Sequence, residues 1–273
     1  SPDRVHPVYT VTGGTLGSEA ELAELAGYCG SRPVRVGNLA AHQIQLDVLG
    51  PVADLVYELA QRGAPLSGEH WRLTEAMANA VVHRWREPDH GIWEIRLERR
   101  HHVHSKAMCW TVMDRALKIA DAFAARDMPA WRQIRDDIAE DVLENGWSES
   151  AQAFTTAYGH DDLDASALLV GLCGLLPPSD ERFAKTLDAV AKQLRTGPVV
   201  RRYTFDDGLP GLEGGFHICT SWLVESLAML GRVDEARRLF ADMCELAGHT
   251  GMMPEQYCNV TKRSLGNHPQ AYS

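Results

Sequence analysis

The chain is expected to fold as an all-α toroid of helical hairpins. Three observations predict it: apolar periodicity reads as helix through most of the 273 residues, the helices are of two alternating kinds, and the loops between them are of two alternating lengths. Residues 38–59, 105–124, 163–172 and 215–230 are apolar on most faces and rich in small residues, so they must be buried on several sides. Residues 69–86, 131–144, 181–195 and 234–247 are amphipathic and charged, and each keeps one face in water. An inner layer wrapped by an outer one follows, the plan of an (α/α) toroid. Each inner helix passes to the next outer helix through a short turn, such as 61–68 or the pair Pro177 and Pro178. The returns, 27–37, 87–104, 145–162, 196–214 and 248–267, are long and hold most of the glycines and several aromatics. In a ring of hairpins they emerge at one end, and function is expected there, because loops on a rigid scaffold carry sites. Residues 231–240 look like part of a helical repeat, but no second copy appears at a fixed period.

Composition narrows the partners. Aspartate and glutamate outnumber lysine and arginine 37 to 27, a formal net charge of −10, so the basic footprint expected for nucleic acid or acidic lipid is missing. A neutral or small substrate fits better. The 45% hydrophobic content is enough to fill a large core; length alone leaves one large domain or two small ones open, and the chain is read as one domain over 1–273. Cys29, Cys109, Cys173, Cys219, Cys244 and Cys258 show no Cys-x-x-Cys pairing and read as free thiols of a reducing compartment. No apolar run approaches the ~18 residues of a membrane span, and the first residues show no secretory core, so a cytoplasmic location is expected.

Two glutamates stand out, each in a long loop at the same end of the ring and each among aromatic and glycine neighbours. Glu94 lies in Pro-Asp-His-Gly-Ile-Trp-Glu-Ile-Arg and Glu255 in Gly-Met-Met-Pro-Glu-Gln-Tyr. Cleavage of a glycosidic bond needs one carboxylic acid to protonate the leaving oxygen and one carboxylate. In inverting enzymes the carboxylate activates water across a gap of ~6.5–9.5 Å. An apolar ring beside a carboxyl favours its neutral form, and Trp93 adjoins Glu94, whereas Gln256 and Tyr257 give Glu255 a more polar setting. By residue type alone, two solvated glutamates would look the same.

Longer motifs carry more. They are Arg-Pro-Val-Arg-Val-Gly-Asn (32–38), Gly-Ile-Trp-Glu-Ile-Arg (91–96), His-Ser-Lys-Ala-Met-Cys-Trp with Met-Asp-Arg-Ala (104–116) and Leu-Asp-Ala-Ser (163–166). Asp-Gly-Leu-Pro-Gly-Leu-Glu-Gly-Gly-Phe (207–216), Pro-Glu-Gln-Tyr (254–257) and Leu-Gly-Asn-His-Pro-Gln-Ala-Tyr-Ser (265–273) follow. Through them nearly the whole chain resembles glycoside hydrolase family 15, the glucoamylase-like family, and its bacterial glucoamylase and trehalase branch in particular. The resemblance implies an (α/α)6 barrel, hydrolysis of α-glucosidic bonds with inversion, and no metal or organic cofactor. It places the general acid on Glu94 and the general base on Glu255. It also suggests that Arg202 binds sugar hydroxyls, that Trp93 walls the innermost subsite and that Arg35 lies near that subsite.

Some features depart from the family pattern. The upstream Trp-Leu-Arg-Asp-Ala type motif, whose arginine and aspartate hold the non-reducing sugar, is missing, and Pro254, Gln256 and Cys258 replace the usual neighbours of the base. Counting helices leaves the first pair outside the chain and puts Ser273 within the last inner helix. The expectation is therefore an incomplete ring, a fragment or truncated homologue, closed by a partner segment or a second copy. Trehalose and α-glucan oligosaccharides both remain open as substrates, and the alternative is a non-catalytic carbohydrate-binding or scaffold remnant. His90, His101, His102 and His104 crowd together but lack a second ligand cluster, so no metal site is expected; one histidine should line the sugar site and the rest should be exposed.

Overall fold

A computed structural model describes residues 5–124, 126–207 and 213–272. Among them the inner helices are α1 (Leu49–Gln61), α3 (Val103–Ile119, continued by a π turn over Ala120–Ala124), α5 (Leu169–Leu172) and α7 (His217–Met229). The outer helices are α2 (Gly68–Arg84), α4 (Pro129–Asn145), α6 (Glu181–Gln193) and α8 (Val233–Cys244). Local chemistry sets their starts. The Ser67 hydroxyl accepts from the Glu69 N–H while the Ser67 N–H donates to His70 Nδ1, a capping box at α2. Pro129 opens α4, where its missing N–H costs nothing, and Asp180 caps α6.

Burial separates the two kinds of helix. Almost every residue of α3 is buried, whereas α6 and α8 bury one stripe each, Phe183, Leu187 and Val190 in the first and Ala236, Leu239 and Met243 in the second. Helix α1 packs on α3, α3 on α5 and α5 on α7, so the inner helices stand side by side in an arc. Around its outside α2 and α4 lean on α3, and α6 and α8 on α7. Two apolar clusters fill the arc, one including Met77, Val112, Ile138 and Phe183, the other including Leu187, Phe216, Leu223 and Leu239. Leu169, Leu172 and Leu230 touch both. The mostly helical architecture is the one expected. No described helix is long and apolar enough to cross a membrane, and all six cysteines are free.

Two inner helices differ from expectation. The segment expected to be helical from 38 to 59 is a 3₁₀ turn over Leu39–His42 and becomes α-helical only from Leu49, because Ile44 and Leu46 between them give their backbone groups to another loop: the Ile44 N–H donates to His90 Nδ1, the His90 N–H to the Ile44 carbonyl and the Leu46 N–H to Asp89 Oδ2. The helix expected over 163–172 is a 3₁₀ turn, Ala165–Leu168, followed by one α turn.

Short strands in the long loops add structure that no periodicity announced. β1 (Ala20–Leu22) pairs with β2 (Val34–Val36), and β3 (Trp147–Ser148) with β4 (Ala153–Phe154). β5 (Arg195–Thr196), β6 (Val199–Val200), β7 (Gly215–Phe216), β8 (Gln256–Cys258) and β9 (Arg263–Leu265) form an antiparallel sheet in that order. Successive long loops are stitched to one another by the 44–90 bonds, a bridge between His102 and Ala157, the Ala165 N–H to the Arg202 carbonyl, and the pairing of Gly215 with Tyr257. They therefore share one end of the arc.

Candidate active site

Glu94 lies in the loop between α2 and α3, half-buried, at φ +55°, a left-handed conformation rare for a residue with a Cβ. Its Oε2 accepts from Asn38 Nδ2 at 3.3 Å. Trp93, before it, points inward: its indole N–H donates to buried Asp164 Oδ2 at 2.8 Å, and its ring lies 5.9 Å from those of Phe216 and Trp222. Asp164 also accepts from the Ser166 N–H at 2.7 Å, so one carboxylate caps the 3₁₀ turn and holds the tryptophan. Burial pushes the Asp164 carboxyl up, against the pull of these donors.

Glu255 immediately precedes β8. Its N–H donates to the Asn267 carbonyl at 2.8 Å and its carbonyl accepts from the His217 N–H at 3.2 Å. Its Oε2 accepts from both the backbone and the side-chain amide of Asn267, at 2.9 and 3.1 Å. Gly266 sits beneath that oxygen at φ +70°, and a Cβ there would stand 2.5 Å from it. The sheet joins the two halves of the site: Phe216, in contact with Trp93, is the register partner of Gln256, next to Glu255. Burial first, then the negative charges of Glu255 and of Glu94, pushes the Tyr272 phenol above the ordinary range.

Arg202 is buried beside this wall, with its guanidinium 5.3 Å from the Trp93 ring, 4.7 Å from Phe216 and 4.8 Å from Tyr203. Glu213 binds it through two nitrogens, and Asp207 lies 3.8 Å away. Residues 208–212, within one of the family-like motifs, and Ser273, ending another, lie outside the described residues. Arg35 is placed differently from the rest. It sits in β2, ion-paired to Glu19 and Glu21, and is linked to the acid loop through Glu19, which also binds Arg96 at 2.6 Å. Glu94, Trp93, Arg202 and the Glu255 strand thus form one wall, with Arg35 at its margin.

The histidine cluster corrects one expectation: His102 and His104 are buried, His90 and His101 are half-buried, and none of the four is exposed. Burial holds His104 down to about 3, as a neutral imidazole, and lowers His102 as well, where nearby Asp89 and Asp164 oppose the shift. Among the described residues no group of three or more histidine, cysteine or carboxylate side chains is arranged to hold a metal ion. A cleft of about 420 Å³ opens behind residues 43–46, bounded by Leu49, Val81, Arg84 and Cys109, and neither candidate glutamate lines it. Sequence reasoning passed over Asn38, Gln43, Asp164, Gly266 and Asn267. Four of the five stood inside quoted motifs; the missing signal was which atom each would touch.

A model of the glycosyl hydrolases family 15 matches residues 2–273. The chain belongs to that family. A trehalase of Mycobacterium tuberculosis is 40% identical over 98% of this chain and 40% of its own length, and a trehalase of Thermoplasma volcanium is 34% identical over 99% and 44%. The chain therefore spans about two-fifths of the length of these curated relatives. Among solved structures, a wild-type glycosidase superimposes with a TM-score of 0.70 at 25% identity, covering 89% of this chain and 65% of that one. A bacterial glucoamylase complexed with acarbose matches with a TM-score of 0.64 at 15% identity over 79% and 37%, a likeness of fold. The arc of hairpins is thus a large part of the family 15 toroid, and the stitched loops lie at one end of it.

Proposed function

We propose that the complete gene product hydrolyses α,α-trehalose with inversion, Glu94 acting as general acid and Glu255 as general base. The observation that carries this reading is the convergence of two carboxylates from distant loops on one wall, joined through Trp93, Phe216 and Gln256. Family membership and the trehalase relatives named above support the substrate. Glu94 would donate its proton to the bridging oxygen as the anomeric C–O bond breaks. Glu255 would take a proton from a water molecule as the water oxygen bonds to the anomeric carbon from the opposite face. Asn267 holds the base by two bonds to one oxygen, and the other, without a hydrogen-bond partner among the described residues, would receive that proton. Trp93, backed by Arg202, would form the flat wall of the sugar site.

Replacing Glu94 or Glu255 by glutamine should cut turnover of trehalose by ~10²–10⁴. Wild-type turnover in both variants would overturn the assignment. Inversion makes a distinct claim about the product. The attacked glucose leaves as the β anomer and the other keeps its α configuration, so early NMR spectra should show the two in equal amounts, whereas retention would give α alone. Rates on maltose and isomaltose test the substrate, and a clear preference for either over trehalose would displace it.

A further inference from the structure

We propose that Gln43 is a positioning residue that anchors the peptide following Glu94 and thereby aims the acid. The inference rests on the reading of Glu94 as general acid. A strained torsion persists only where the chain on both sides is held. Upstream of Glu94, Trp93 is tied to Asp164 at 2.8 Å. Downstream, Gln43 Nε2 donates to the carbonyls of both Glu94 and Ile95, each at 3.2 Å. These bonds secure the two peptide planes that leave the left-handed residue, so the direction of the Glu94 side chain is set from a loop about fifty residues away in sequence.

Gln43 is itself braced. Its Oε1 accepts from Gln45 Nε2 at 3.3 Å, which turns the amide nitrogen towards the two carbonyls, and the flipped amide would set oxygen against oxygen. Its N–H donates to Ala40, and Ile44 and Leu46 on the same strap are bonded to His90 and Asp89. The strap begins at Asn38, whose Oδ1 accepts from the Ala40 N–H while its Nδ2 donates to the Glu94 carboxylate. The strap therefore touches the acid at both its backbone and its side chain.

The test uses leaving-group chemistry, because fluoride departs from α-glucosyl fluoride without the full proton transfer that a sugar oxygen requires. In the complete gene product, Gln43→Met, which keeps the length and loses the N–H, and Gln43→Asn, which keeps the amide but is one methylene shorter, are compared with wild type on trehalose and on α-glucosyl fluoride. The expected result is a fall in kcat on trehalose of ~10–10² with KM changed less than about threefold, as for a catalytic group displaced by a fraction of an ångström to an ångström. The rate on the fluoride should stay within about threefold. Equal losses on both substrates would overturn the proposal in favour of a merely structural role, as would an unchanged kcat on trehalose; thermal melting establishes that each variant is folded. Glu94→Gln runs alongside. Loss on trehalose with the fluoride rate kept upholds the acid reading and leaves the Gln43 result to stand or fall by itself. Equal loss on both means that the acid reading has failed, and the proposal with it.

Discussion

Gly266 shows how narrowly a single residue can constrain the candidate base. Its φ of +70° belongs to the region glycine enters freely, and the space where a Cβ would go is taken by the Glu255 carboxylate, 2.5 Å away. Gly266→Ala should carry a left-handed penalty of ~1–2 kcal/mol and push the carboxylate off Asn267. We expect kcat to fall by about 10² with the far-UV circular dichroism spectrum kept; a variant with full kcat would show that the carboxylate is not held where the reaction needs it. Glu94 is the opposite case, a residue with a Cβ in the conformation glycine favours. Neither constraint is visible in residue type. Both need the fold to bring Asn267 to one glutamate and Gln43 to the other.

At the scale of elements, the strap of residues 38–47 has an electrostatic cost of its own. Asp47 is buried, and burial first, then the charges of Asp89 and Glu94, pushes its carboxyl up to about 7 from an unfolded value near 3.8. Between these values the folded state binds the proton and the unfolded state does not. Its contribution to stability is therefore present at acid pH and lost as pH rises through about 7, with a slope of at most ~1.4 kcal/mol per pH unit. Asp47→Asn removes this titration. Urea melts should place the variant close to wild type near pH 4 and above it at pH 8, and the reverse order would contradict the assignment. His104 and His217, held down to about 3 and about 4 by burial, lose stability as pH falls below their unfolded value, but they titrate in both proteins and cancel in the difference. The same strap explains why the first inner helix is shorter than periodicity suggests. Its apolar residues are spaced for a helix, yet its backbone finds better partners in His90 and Asp89.

For the whole molecule, α1 shows what an arc leaves uncovered. Ala53, Val56 and Ala60 face the neighbouring helices, while Val52, Leu55 and Leu59 form an exposed stripe on an inner helix that is apolar on both sides. An inner helix of a closed ring has neighbours on both flanks. We expect the chain prepared alone to self-associate through this stripe, and Leu55→Lys with Leu59→Lys to raise the monomer fraction in sedimentation experiments. An unchanged distribution would place the contact elsewhere.

The sequence by itself determined the layer order, the family and the pair of glutamates worth testing. Those features are local or compositional: apolar periodicity records which face each helix buries, and the motifs are contiguous runs such as Gly-Ile-Trp-Glu-Ile-Arg. Only the tertiary structure decided the rest. It showed that the five-stranded sheet links Phe216 to Gln256, that Arg202 is bound by Glu213, that Arg35 stands apart with Glu19 and Glu21, and that Asn267 and Gln43 hold the two glutamates. These are contacts of single atoms between loops far apart in the chain. Strands of two or three residues leave no period, and a polar side chain in a loop shows no sign of its partner until folding brings the two together.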